Sequence, residues 1–327
     1  MNAAVLDRAA HRFAVVERPI PTPGPGELLL RVRACGVCRT DLHIVDGELP
    51  PHREPIIPGH QIVGDVAGGA TPERPLGMRV GVSWIASTDG TCAYCRRASE
   101  NLCDLLRFTG YDVDGGYAQY AVARADFTYP LDDRLDDVHA APLLCAGIIG
   151  FRALRVAGVE PRERVGLYGF GASAHLMVPV LHAWGCEVFV ATRGESHRRF
   201  AASLGATWVG DATDAPPQPL DRAVTFAPSG DVVLAALRSL RKGGVVAINA
   251  IHLDRIPQFD YDSLLWGERQ LRSVANMTRA DAYDFLALAA EIGLRPHATT
   301  FPLERASDAL AAVRGDAVDG AAVIVPG

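Results

Sequence analysis

The stretch Val165-Gly166-Leu167-Tyr168-Gly169-Phe170-Gly171-Ala172-Ser173-Ala174-His175 decides how this chain is read. Its apolar start suits a buried strand, and Gly169 permits a tight turn. Gly171 lets backbone approach a pyrophosphate seated on the N-terminus of the helix that follows, and Ala174 takes the third small position. A glycine pattern of this kind is weak alone and gains force from its surroundings. Residues 165–168, 187–191, 207–209, 223–226 and 244–249 read as strands; 172–184, 196–204 and 232–240 read as helices. Strand and helix in alternation build a parallel sheet covered on both faces. Residues 215–220, rich in Pro, read as a surface connection.

The second strand runs into Thr192-Arg193, where a site selective for NAD would carry Asp or Glu on the ribose hydroxyl. With no carboxylate there, and with Arg193 and His197 nearby, a 2′-phosphate is better accommodated, so NADP(H) is favoured over NAD(H).

Upstream the chain has a different character. Residues 13–34 alternate apolar and polar positions around Pro19-Ile20-Pro21-Thr22-Pro23-Gly24-Pro25-Gly26. Residues 28–32, 62–66, 79–82 and 116–122 read as strands of a barrel-like β module with many Gly and Pro turns. Helical composition begins near 139 and runs to 156. In the tail, 281–288 reads as helix and 321–325 as a strand that can rejoin the first module.

The totals set bounds. A chain of 327 residues suits about two domains. Hydrophobic content of 49% allows a large core, while a net charge of −6 gives no reason to expect nucleic acid or an anionic membrane. Asp7, Arg8, His11 and Arg12 interrupt any leader-like apolar start, and the apolar run 142–151 reads as too short to span a bilayer. A cytoplasmic protein is expected. Its seven cysteines, an odd number and clustered, read as metal ligands before disulfides.

Three cysteine-bearing stretches carry chemistry. Cys38-Arg39-Thr40-Asp41-Leu42-His43 offers a thiolate for zinc, a hydroxyl for a substrate oxygen and an imidazole to carry a proton away. Asp89-Gly90-Thr91-Cys92-Ala93-Tyr94-Cys95 with Cys103 suits a tetrahedral site of three thiolates closed by Asp89. His60, in Pro58-Gly59-His60-Gln61, and Cys145 would complete with Cys38 a Cys₂His set whose fourth position stays open, as catalytic rather than structural zinc requires.

These motifs, with the Pro-Gly-Pro-Gly-Glu opening, Ala34 to His43 and Glu100-Asn101-Leu102-Cys103, give the chain a resemblance to the zinc-dependent alcohol dehydrogenase family of the medium-chain dehydrogenase/reductase superfamily. The resemblance covers essentially the whole chain. It implies an α/β protein: a GroES-like β-barrel catalytic domain, residues 1–145 completed by 279–327, and a Rossmann domain with a doubly wound parallel sheet, residues 146–278. Cys38, His60 and Cys145 would hold catalytic zinc, Asp41 would orient His60, and Thr40 and His43 would relay the proton. Arg39 would meet the cofactor pyrophosphate, and Ala250, Ile251 and Ala275 would line the nicotinamide. Cys35 is no ligand position.

Four departures from the family pattern stand out. Gln61 replaces a usual Glu, Asp89 replaces the first lobe Cys, Ile148-Ile149 replaces a common Thr, and Asp319 stands where a cation would be unsurprising. The expected protein interconverts an alcohol with its aldehyde or ketone in the cleft between its domains, on a nicotinamide cofactor. Trp84, Leu49 and Ile148-Ile149 are candidates for an apolar pocket, and a homodimer or homotetramer is the expected assembly. A zinc-free quinone or enoyl reductase and a catalytically silent nucleotide-binding protein are the alternatives.

Overall fold

The computed structural model describes residues 1–7, 10–49, 52–315, 317–318 and 320–327, so Asp319 lies outside the described residues. The chain divides into two units, Met1–Cys145 with Thr278–Gly327, and Ala146–Met277.

The first unit is built on strand Glu27–Val37. Leu28, Leu30 and Val32 point inward between outward Arg31 and Arg33, the period-2 signature of a half-buried strand. From Ala34 onward every side chain is buried, which carries the strand into the core. It pairs antiparallel with Gln61–Gly68, with Tyr120–Arg124 and with the tail strand Ala321–Val325. Arg79–Val82, Thr128–Pro130 and Ala298–Pro302 complete a seven-stranded sheet. The tail therefore rejoins the first module.

The strand expected at 116–122 begins later, at Tyr120. Gly115, Gly116 and Tyr117 instead donate their amides to the carbonyls of Ile57, Gly59 and Pro58. That loop-to-loop pairing satisfies the backbone away from the main sheet and lays Tyr117 beside the segment carrying His60.

Residues 137–157 run as helix Asp137–Pro142, a π-helical turn Leu143–Gly147 and helix Ile148–Ala157. Pro142 has no N–H and interrupts the hydrogen-bond ladder just before the π turn. The Leu144 carbonyl, in that turn, accepts a 2.6 Å bond from the buried Ser83 hydroxyl. The reading of 142–151 as too short for a bilayer needs correction. The helical stretch Asp137–Ala157 is 21 residues with a window hydropathy of 1.5, enough by length and composition to cross a membrane. Flanking Ala and Val turns extend it beyond the apolar run. Because 67% of that window is buried inside the protein, it has the character of a core helix.

The second unit holds six parallel strands in the order Trp208–Gly210, Glu187–Ala191, Arg164–Tyr168, Leu220–Thr225, Leu240–Ile248, Gln270–Ser273. In chain order this is 3-2-1-4-5-6, the Rossmann arrangement. Val165, Leu167, Val188, Phe189 and Val190 are buried along both strand faces, as helices on either side of a parallel sheet require. The last strand, Gln-Leu-Arg-Ser, has no apolar signal and was not readable from sequence; pairing with Leu240–Ile248 makes it a strand.

Gly59 has φ +92°, and a Cβ there would lie 2.5 Å from the Tyr117 ring and 2.9 Å from the Cys35 sulfur. Gly59→Ala should therefore cost at least about 1 kcal/mol of stability. Urea unfolding checks this; a midpoint equal to that of the parent would show that the loop relaxes without cost.

Candidate active site

Cys38 caps the short helix Arg39–Val45, which carries the polar stretch Arg39 to His43. The Cys38 amide donates to Asp41 Oδ2 at 2.8 Å, closing the first turn. His60 lies at the start of strand Gln61–Gly68, and Cys145 in the π turn, which shifts side chains out of α-helical phase.

These elements bring one donor atom each from Cys38, His60 and Cys145 within 4.8 Å of one another. The two sulfurs are 4.0 Å apart. Tetrahedral zinc with bonds of roughly 2.3 Å would place them about 3.8 Å apart. His60 is only 1% exposed, yet neither ring nitrogen has a hydrogen-bond partner. Its Nδ1 faces Asp41 Oδ1 at 3.7 Å, an ion-pair separation too long for a hydrogen bond. A buried imidazole in this state is costly unless something accepts its lone pair, and two sulfurs beside it complete a soft donor set. The residues fit zinc.

Protons occupy the cluster when metal does not. The Cys145 thiol, then the His60 ring, hold the Cys38 thiol well below the usual range against the effect of burial. The Cys38 sulfur, with burial, pushes Cys145 well up. Burial pulls the His60 imidazolium down, but Asp41 and Cys38 outweigh it and carry the group up to about 10.

Asp41 is fully buried and accepts a second bond on Oδ2, at 2.9 Å, from the Tyr117 hydroxyl. Burial and the Asp41 charge raise the Tyr117 phenol well above its usual value, keeping it a donor. With Oδ2 occupied by two donors, Oδ1 is left for His60. Thr40 is buried with Oγ1 3.6 Å from the Cys38 sulfur. His43, three positions on, shares its helix face and pairs through Nδ1 with Glu48. With Nδ1 turned to that carboxylate, Nε2 is the ring nitrogen left for another partner. Arg39 is exposed at the helix start.

Trp84 meets the His60 ring edge-on at 4.9 Å and stacks on Phe108 at 4.8 Å. Leu49, like Trp84, is partly buried against the core of this unit. Ile148 is fully buried, so the Ile148-Ile149 pair presents at most Ile149. Cys35 is core, its thiol pushed up by burial and Asp41.

A second cluster gathers Asp89, Cys92, Cys95 and Cys103, again with donor atoms within 4.8 Å. Asp89 accepts the Cys92 and Thr91 amides at 2.9 and 2.8 Å, which lower its carboxyl to about 2. It is therefore an ionised oxygen donor at neutral pH. Lost solvation, with Asp89 and Cys92 beside it, lifts the Cys95 thiol to about 11.

In the second unit Gly169 has φ +87°, with Ala227 backbone 2.8 Å from where a Cβ would sit. Gly171 is the reverse: a Cβ there meets nothing within 4 Å. It caps helix Ala172–Ala183 without a side-chain bond, leaving an open cradle over free amides. Gly171 and Ala172 are exposed, Ser173 is half-buried, and Phe170 is buried against Phe200. Thr192 is 3% exposed with its hydroxyl on the Arg193 carbonyl, so Arg193 holds the exposed edge, with half-buried His197 close behind. Two carboxylates near this edge already have partners: Glu195 pairs with Arg199 at 2.8 Å and Asp211 with Arg198 at 2.7 Å. Ala250, Ile251 and Ala275 follow the C-terminal ends of strands Leu240–Ile248 and Gln270–Ser273. They share an edge with Gly169, where ligands of such sheets bind.

Sequence reasoning missed Tyr117 and Glu48. Glu48, five residues after His43, was within reach of a local search for imidazole partners; Tyr117 had no signal, being 76 residues from Asp41.

Residues 24–133 match the family model of the alcohol dehydrogenase GroES-like domain, and residues 174–291 match that of the zinc-binding dehydrogenase. The chain is 48% identical to the "Probable alcohol dehydrogenase AdhA" of Mycobacterium tuberculosis (strain CDC 1551 / Oshkosh), over 99% of this chain and 94% of that protein. It is 34% identical to an alcohol dehydrogenase of Geobacillus stearothermophilus, over 99% of each. The solved structure of the cobalt- and zinc-bound thermostable alcohol dehydrogenase from Pyrobaculum aerophilum matches with TM-score 0.87 and 25% identity, over 100% of this chain and 99% of that one. With the fold, the two cysteine clusters and the glycine cradle in place, the chain belongs to the zinc-type alcohol dehydrogenase family of the medium-chain dehydrogenase/reductase superfamily and is an alcohol/carbonyl oxidoreductase.

Proposed function

We propose that the protein is a zinc-dependent alcohol dehydrogenase, or aldehyde and ketone reductase, that uses NADP(H). The observation that carries the zinc reading is the buried His60 ring with both nitrogens unpartnered beside two sulfurs. Cys38, His60 and Cys145 would hold the catalytic ion, and Asp89, Cys92, Cys95 and Cys103 a second, structural one. Zinc, when bound, supplies Lewis-acid polarisation of the substrate oxygen.

The chain's own residues supply the rest. Asp41 steadies the His60 ring through Nδ1, itself held by Cys38 N–H and the Tyr117 hydroxyl. In alcohol oxidation Thr40 Oγ1 accepts the hydroxyl proton, and His43 Nε2, set by Glu48 on Nδ1, takes it onward. Trp84 beside His60 offers an apolar wall, which suits an alcohol with an apolar body. The Gly169–Ser173 turn takes the cofactor pyrophosphate on its amides. Arg193 takes the 2′-phosphate, with Glu195 already committed to Arg199.

Metal analysis of the purified protein should find two zinc ions per chain. Cys145→Ser should retain the lobe ion and NADPH binding while losing several kcal/mol of transition-state stabilisation, about a thousandfold in turnover. Asp89→Ala should lose the other ion and keep turnover. Undiminished activity in Cys145→Ser, or full activity after dialysis against a chelator, sinks the zinc mechanism.

Arg193→Ala should weaken NADPH about tenfold and leave NADH unchanged, the loss of one charge-assisted contact. Parallel KM measurements decide, and equal changes for both cofactors would refute the assignment. Gly171→Ala should unfold within about 0.5 kcal/mol of the parent, since its methyl meets no protein atom. It should nevertheless bind NADPH more weakly; unchanged fluorescence titration would remove the pyrophosphate from this turn.

A further inference from the structure

The helix that carries Thr40 and His43 ends in a cluster of charges. Its C-cap is Asp46, three residues after His43, and the chain then folds back on itself. The Gly47 amide donates to the Ile44 carbonyl, and the Leu49 amide donates to that of His43. That turn returns Glu48 to the imidazole, where its carboxylate meets Nδ1 at 2.5 Å.

Asp46 is engaged from another element. Arg314, in the last turn of helix Ala306–Arg314, donates to its two carboxylate oxygens at 2.9 and 2.7 Å. Paired bonds of this kind fix both geometry and charge. Arg314 holds the Asp46 carboxyl below its usual range against the effect of burial, and His11 and His43 pull in the same direction. Asp46 and the His43 ring are therefore within electrostatic reach, as their spacing on the helix requires. The Arg314 guanidinium is raised chiefly by Asp46, and Glu48 adds to it. Two further basic groups face the cluster. Arg39 stands four residues before His43 on the same helix, and His11 Nδ1 meets the Val45 carbonyl at 3.1 Å.

One carboxylate thus touches the His43 ring, and a second, beside it, is neutralised by the tail of the chain. We propose that Glu48 and Arg314 oppose each other in setting the pH at which His43 takes up a proton. Glu48 favours the charged ring directly, and Arg314 disfavours it by neutralising Asp46. Both are positioning residues that act through His43. Its role as proton relay is the reading this inference deepens, whereas the charge balance stands on the geometry alone. The His43 and Glu48 side chains are 35% and 66% exposed, so water screens the pair and each effect is a fraction of a pH unit.

The test is an NMR titration of the zinc-loaded, NADPH-bound protein labelled at the histidine ring carbons, with His43→Gln identifying the His43 signal. Glu48→Gln keeps an acceptor for Nδ1 but removes the charge, and should lower the His43 midpoint by about half a unit. Arg314→Ala should raise it by a similar amount. Asp46→Asn placed on Arg314→Ala should cancel that rise, which separates charge from any loosening of the helix. Salt near 1 M, where the Debye length is about 3 Å, should shrink both shifts. Shifts of the same sign, no shift, or a rise that survives Asp46→Asn overturns the proposal. Single-turnover oxidation of benzyl alcohol by NADP⁺ supplies the second readout. Oxidation needs the neutral ring, so the acid limb of its rate should move to lower pH in Glu48→Gln and to higher pH in Arg314→Ala. A merely structural role would slow both variants without moving the limb in opposite directions. Midpoints that move while the limb stays fixed uphold the charge balance and overturn the relay.

Discussion

An imidazole sealed from water with both nitrogens unbonded is the constraint around which the first unit is arranged. His60 could be relieved in two ways, by a proton or by a metal. The chain prepares for both with one carboxylate behind the ring and two sulfurs in front. Asp41 raises the basicity of whichever species forms, and its other oxygen is saturated by Cys38 N–H and Tyr117, so it cannot turn away. At the proposed site a metal would displace protons from His60 and Cys145, which would couple occupancy to the packing of three separate segments.

Those segments meet because each carries a local irregularity. Gly59 turns the chain through a left-handed conformation just before His60, close under the Tyr117 ring. Cys38 sits at a helix cap rather than inside the helix. Cys145 sits in a π turn, next to the Leu144 carbonyl that accepts the Ser83 hydroxyl. Regular structure would have pointed these side chains elsewhere, so the departures from regularity and the reactive residues coincide.

Much of this was legible in the chain. The glycine turn, its flanking apolar strands and the alternating helices disclose the parallel sheet, because period and turn chemistry are local. The cysteines and His60 could be named as candidate ligands from residue type and family pattern, and the structure gathers them into two clusters. What escaped was whatever depends on tertiary company. The strand Gln270–Ser273 is polar and exists through its neighbour. Tyr117 reaches Asp41 only because two loops exchange backbone bonds. Thr192 was expected at the cofactor edge, and its burial leaves that edge to Arg193.

The strand Ala321–Val325 lies against Glu27–Val37, almost three hundred residues upstream. During synthesis the continuous stretch Ala146–Met277 can close its own sheet as soon as it emerges. The segment made first must wait. Its central strand stays unpaired on one edge along Cys35–Val37 until the tail strand arrives, and an unpaired edge is a template for the wrong neighbour. The half that begins first is therefore the half that finishes last, and it is the one with thiols to protect.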